Sequence, residues 1–171
     1  MNLKEAALKE HSKAQCNKIV KYVGSDASRF SKLVDVFLDG PYRVTQRIAW
    51  PLGYCVKENT TLIHPHLSRI LKFVRRPGLH DSVKRNVTRL LQFIDIPKKH
   101  QGAAADICFM FLSDTNEPVA VRVFSMTVLA NLAKEMPELK NELIPIIEDQ
   151  LPFGPAAFVS RGRKVLKELK R

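Results

Sequence analysis

Residues 114–151, DTNEPVAVRVFSMTVLANLAKEMPELKNELIPIIEDQL, decide the fold class. The stretch opens on the turn-forming Asn116, Glu117 and Pro118 and runs into an apolar segment in which Val121, Phe124, Val128 and Leu132 recur at helical spacing. Residues three and four apart share one face of a helix, whereas a half-buried strand would alternate apolar and polar. Polar residues and a proline at 134–137 interrupt the pattern, and Leu143, Ile146 and Ile147 take it up again. The stretch therefore reads as a helix, a tight turn and a second helix.

Working outward, the same design recurs at a step of 38 residues. Gly40, Gly78, Asn116 and Gly154 stand 38 apart, each in a proline-containing cluster and each a residue type that tolerates positive φ, as turns between helices often require. The apolar columns keep the step: Leu52, Leu90, Val128 and Leu166 align, as do Val56, Ile94 and Leu132, then Leu67, Ala105 and Leu143, then Ile70, Cys108 and Ile146, then Leu71, Phe109 and Ile147. With a shift of one residue, Phe30, Leu33 and Val34 take the places of Leu67, Ile70 and Leu71. First helices are expected near 3–22, 42–57, 80–94, 118–133 and 156–170, and second helices near 27–38, 62–75, 98–112 and 138–151. Pro51 and Pro145 fall inside two of them, where a proline removes a backbone donor and tends to kink the chain.

On these residues the sequence resembles the HEAT repeat family. Asp114 and Pro118 stand in the turn between repeats, Val121 and Arg122 in the first helix, and an apolar second helix follows. The column of Arg122 holds Lys84 one repeat earlier and Gln46 before that. Trp50, Leu52, Gly53 and Tyr54 touch on the tetratricopeptide signature, but with the wrong spacing and without a 34-residue repeat. The resemblance implies an all-α, right-handed α-α superhelix, a solenoid of about four HEAT-like helix pairs plus a C-terminal capping helix. Its repeats would be 1–38, 39–76, 77–114 and 115–153, with a terminal helix at 154–171, all in a single domain.

Composition agrees with a folded domain: 171 residues, 45% apolar and 26% charged, long enough to bury a core without disulfides. Cys16, Cys55 and Cys108 are odd in number, lack a CxxC spacing and lie in apolar stretches, so they read as buried thiols in a reducing compartment. The charged N-terminus offers no apolar signal segment, and the longest apolar tract, 119–133, is broken by Arg122 and Asn131. A cytoplasmic location without a membrane span is the expectation.

Residue types that carry chemistry are sparse. His64 and His66 bracket Pro65, but two apart on a helix they do not share a face, and no ligand cluster lies nearby. His11, His80 and His100 have no sequence partner, no GxSxG appears, and the seven glycines form neither a Walker nor a GxGxxG loop. No catalytic residue, cofactor or metal ligand is therefore assigned, and the chain is read as a non-enzyme. Some HEAT-like proteins are alkylated-base DNA glycosylases, which the resemblance brings into view. They work with several aromatic side chains and a carboxylate on the concave face. The single Trp50 lies in a first helix, so that site does not carry over residue by residue.

Charge is the remaining signal. The chain has 28 basic against 17 acidic side chains, a net of +11. The densest cationic stretch is Arg69, Lys72, Arg75, Arg76, Lys84, Arg85 and Arg89, opposed only by Asp81. These seven are the candidate polyanion-binding residues, against the alternative of a solvated helix face with Arg75 and Arg76 near helix C-terminal carbonyls. In the C-terminal segment, Phe158, Val165, Leu166 and Leu169 form an apolar stripe among basic residues, as expected of an end cap beside the acidic Glu135, Glu138, Glu142, Glu148 and Asp149. The functional expectation is a non-catalytic binding or scaffold protein facing an unidentified protein partner. The alternative is a nucleic-acid-binding solenoid related in form to the glycosylases.

Overall fold

The computed structural model describes residues 1–171 and is all-α, with ten α-helices, three short 3-10 turns and no strand. No helix is long and apolar enough to cross a membrane. The chain divides into two compact units, Met1–Asp95 and Ile96–Arg171, between the sixth and seventh helices.

The N-terminal unit holds α1 (Leu3–Lys9), α2 (Lys13–Val23), α3 (Ala27–Asp39), α4 (Tyr42–Glu58), α5 (Leu67–Val74) and α6 (Asp81–Leu91). The first helix differs from expectation. In place of one helix near 3–22, the chain breaks at Glu10, which is extended, and restarts at Ser12, whose hydroxyl accepts from the Gln15 N–H at 3.1 Å. Long-range bonds hold the break: Gln15 Nε2 donates to the Ala6 carbonyl, and Arg47 of α4 donates to the carbonyls of Ala7 and Leu8. The end of α1, which would leave carbonyls unpaired, is thereby capped from another helix. The second helix near 62–75 also differs, since Thr60–His66 is a 3-10 turn containing Pro65 and only Leu67–Val74 is α-helical. By contrast, α4 runs unbroken through Pro51.

Within this unit α4 packs against α2 and α6 and, on another side, against α3; the 60–66 turn lies against α3 and α4. Phe30, Leu33, Val34, Ile48, Leu52, Val56, Leu67 and Ile70 are fully buried, so the columns read from the sequence are the core.

The C-terminal unit holds α7 (Lys98–Ser113), α8 (Val119–Leu132), α9 (Lys140–Gln150) and α10 (Ala156–Leu169), with 3-10 turns at Pro137–Leu139 and Leu151–Phe153. Here α8 packs on both α7 and α10, and α9 contacts α7, α8 and α10. Ala105, Cys108, Val128, Leu143, Ile147, Phe158 and Leu166 are buried, and α9 stays helical through Pro145. Gly162 is where α10 meets α9, since a Cβ there would lie 3.0 Å from Leu151 and 3.1 Å from Ile147.

The repeat glycines do not share one reason. Only Gly78 uses positive φ, at 74°; Gly40 and Gly154 are extended and Asn116 is not left-handed. Gly40 and Gly154 are needed for space. A Cβ at Gly40 would sit 2.4 Å from the Val36 carbonyl, and one at Gly154 would sit 2.8 Å from the Phe158 ring.

A second regularity links successive helix pairs. In the N-terminal unit Asp35 meets Arg69 at 2.8 Å and Gln46 meets His80 Nε2 at 3.0 Å; in the C-terminal unit Gln101 meets Glu135 at 2.9 Å and Thr127 meets Arg161 at 2.6 Å. Each pair is 34 residues apart, one 38-residue step less one turn of about four residues. Polar side chains thus reach from one helix to a point about one turn before the equivalent position in the next repeat.

Candidate interaction surface

The seven cations of the 69–89 stretch are not one patch in their bonding. Arg69, from α5, donates to Asp35 of α3 at 2.8 Å and lies 3.9 Å from Asp39. Arg76 lies over the Phe73 ring at 5.1 Å, and Phe73 is itself buried edge-on against Phe37. Lys84 is 3.4 Å from Asp81, one turn earlier on α6. Arg89 lies over Tyr54 at 5.6 Å. Lys72, Arg75 and Arg85 are exposed and have no carboxylate partner.

Arg89 borders a site that the run of charge along the sequence does not mark. Between α4 and α6, Trp50, Gly53, Tyr54 and Lys57 face Asn86, Arg89, Leu90 and Phe93 across a shallow groove with a cavity volume of about 10 Å³. Helical spacing sets it up: Trp50 and Tyr54 are four apart on α4, with Lys57 three further on, and Phe93, in the turn just beyond α6, follows Arg89 by four. Lys57 Nζ lies 5.8 Å from the centre of the Phe93 ring, and Phe93 is 40% exposed. Trp50 packs edge-on against Tyr54 at 6.5 Å and against His11 at 5.7 Å. The signal was in the repeat step. Trp50 and Arg89 are 39 residues apart, as are Tyr54 and Phe93, so a step of about one repeat makes them lateral neighbours.

The groove carries no carboxylate on its walls. Lys57 and Arg89 make ring contacts but no side-chain hydrogen bond or ion pair. A cation over a ring keeps its charge and its outward N–H groups, so these two can still receive an anion.

Several other polar side chains serve the fold. His80 caps α6, its Nδ1 accepting from the Ser82 N–H at 3.0 Å. Arg122 is 6% exposed, lies 4.5 Å from the centre of the Phe158 ring and donates to Gln150, which in turn donates to the Leu112 carbonyl at 3.2 Å. Burial pushes the thiols up, Cys16 to about 11 and Cys55 and Cys108 to about 12, away from reactive thiolates. No three His, Cys, Asp or Glu side chains gather where they could hold a metal ion. In the C-terminal unit a cavity of about 170 Å³ lies among Ala130, Ala133, Lys134, Pro137, Lys140 and Leu169. Of the basic residues on α10 and its end, Lys170 pairs with the acidic helix α9, at Glu148, and the apolar stripe Phe158, Val165, Leu166 and Leu169 is buried.

A family model for the HEAT repeat domain matches residues 3–169. No curated protein and no solved structure gives a significant match. The buried columns at a 38-residue step, the helix pairs in each unit and a family match over nearly the full length agree, and the chain belongs to the HEAT repeat family.

Proposed function

We propose that the protein is a non-catalytic binding scaffold that presents the α4–α6 face of its N-terminal unit to a protein partner. Repeated helix pairs offer an extended surface built on a rigid core, which suits binding better than the enclosed chemistry of an active site. The observation that carries this reading is the α4–α6 groove, where an exposed aromatic edge lies between two cations that no carboxylate neutralises. Aromatic and arginine side chains are the types enriched at protein interfaces. Buried, unpaired thiols fit a reducing, cytoplasmic setting for this activity.

Nucleic-acid binding is the second reading, favoured by the exposed Lys72, Arg75 and Arg85 and by 17 basic against 8 acidic side chains in residues 1–95. Its drawback is that Arg69 and Lys84 already pair with Asp35 and Asp81.

Capture from native lysate, with and without nuclease and with wild type beside Arg89→Glu, tests the choice. The scaffold reading expects a protein partner that survives nuclease and is lost with Arg89→Glu. Capture abolished by nuclease, together with a log affinity for DNA or RNA that falls by about 0.7 to 0.9 per phosphate against log salt, would transfer the function to nucleic acid.

A further inference from the structure

From the chemistry of the α4–α6 groove we infer the class of its occupant: a short acidic segment of a partner protein, with one apolar or aromatic side chain laid on Phe93 and carboxylates against Lys57 and Arg89. The inference rests on the protein-binding reading above and narrows it.

Charge sets the sign. Both cations on the groove walls lack an anionic partner, no wall residue is acidic, and the unit around them carries a net +9 over residues 1–95. An approaching acidic chain is attracted from a distance and meets donors already positioned by their ring contacts. A guanidinium resting on an aromatic ring has its planar edge free, and that edge suits a carboxylate in a bidentate contact.

The rings argue against bases as the occupant. Stacking needs an open π-face. Here Arg89 lies over Tyr54, Lys57 lies over Phe93, and Trp50 is flanked by His11 and Tyr54. A base stacking on the faces that Arg89 and Lys57 cover would compete with the very cations that attract its phosphates. A peptide carboxylate binds those cations where they are, and an apolar side chain needs only the exposed edge of Phe93.

Depth sets the form. A volume of about 10 Å³ admits roughly one water-sized group, far below the roughly 300 Å³ at which pockets for small molecules begin. The occupant therefore lies along the groove. Gly53 makes this approach close: a Cβ there would meet nothing nearer than the Asn86 carbonyl at 3.9 Å, so the fold leaves room for a methyl group that the groove would lose.

The test uses a random dodecapeptide display library selected on the purified full chain, with each enriched peptide then synthesised and titrated by fluorescence anisotropy. Enriched peptides should combine Asp or Glu with an apolar or aromatic residue. Their affinity should fall by about tenfold with Lys57→Glu or Arg89→Glu, as loss of a charge-assisted contact predicts. Gly53→Ala should weaken binding several-fold while leaving thermal melting unchanged or slightly raised, which separates a blocked groove from a damaged fold. Reversal of Lys32, exposed on α3, controls for net charge and should have little effect. No enrichment, enriched peptides without carboxylates, or affinities indifferent to all three groove variants would overturn the inference. So would a single-stranded oligothymidylate that binds more tightly than any selected peptide and is lost with the same variants. If the library yields nothing while lysate capture is still lost with Arg89→Glu, the short-segment occupant falls and the protein-binding reading stands. Loss of both removes the reading itself.

Discussion

Arg89 in the N-terminal unit and Arg122 in the C-terminal unit each lie over an aromatic ring, Tyr54 and Phe158 respectively, and put that contact to opposite uses. Arg122 is 6% exposed, and its remaining bond goes to Gln150 inside the fold. Arg89 rests on Tyr54 at the wall of the α4–α6 groove, and its side chain makes no hydrogen bond or ion pair. One cation is consumed in holding helices together; the other keeps its outward N–H groups unbonded. Other cations divide in the same way: Arg69 pairs with Asp35, Arg161 bonds Thr127 and Lys170 pairs with Glu148, whereas Lys57, Lys72, Arg75 and Arg85 have no carboxylate partner. A basic side chain in the sequence is thus a measure of available charge only after its internal partners are known.

The comparison can be broken first in the shared core. Leu90 in α6 and Val128 in α8 occupy the same repeat column, and each is 1% exposed. Leu90→Ala should cost about 2 to 5 kcal/mol in denaturant unfolding, and Val128→Ala less because it removes fewer buried atoms. Wild-type-like stability of either variant would mean that the two units do not share the column.

Arg122→Ala and Arg89→Ala test the sealed and open contacts directly. Removing Arg122 strands the Gln150 carbonyl oxygen in a partly buried site and should cost about 1 to 3 kcal/mol. Removing Arg89 should cost only about 0.5 to 1 kcal/mol, the worth of an exposed cation-ring contact. Equal losses on thermal unfolding would erase the distinction.

Arg69→Ala comes next. Its carboxylate partners are at least half exposed, so the pair should contribute no more than about 1 kcal/mol, and the loss should shrink in high salt. A larger, salt-independent loss would show that the α3–α5 bridge is structural in the way of Arg122.

The smallest effect is a pH dependence confined to the N-terminal unit. Burial, and then the neighbouring Arg69 charge, lower the pKa of His66 below its ordinary 6.5, while Asp35 acts in the opposite direction. The unfolded chain therefore takes up the proton first. The stability linked to this ring is present above about pH 6.5 and is lost as pH falls through the lower folded value. Unfolding midpoints followed from about pH 7.5 to pH 5 should decline less in His66→Gln than in wild type. An identical decline would place the pH response elsewhere.

Legible in the sequence were the all-helical class, most of the helices and most of the core, Phe109 and Ile146 of the aligned columns being only half-buried. Leu52, Leu90, Val128 and Leu166 could be read as one buried column because helical spacing and a constant repeat step are local and periodic, and burial depends on little else. The sequence also located the turns at Gly40, Gly78 and Gly154, though not their cause, since the clash of a Cβ with Val36 or Phe158, each four residues away, depends on the extended backbone angles of the turn, which residue type alone does not give. The break after α1 was illegible for a different reason: Arg47, about forty residues on, stabilises it by taking the carbonyls of Ala7 and Leu8. The tertiary structure alone decided which cations are free. A run of basic residues from 69 to 89 looks continuous along the chain, but Asp35, Phe73 and Tyr54 approach it from other turns and other helices and divide it. The α4–α6 groove exists for the same reason, because Trp50 and Tyr54 meet Arg89 and Phe93 only when one repeat is laid beside the next. Electrostatic and aromatic contacts act over a few ångströms in space, and separation along the chain does not measure that distance.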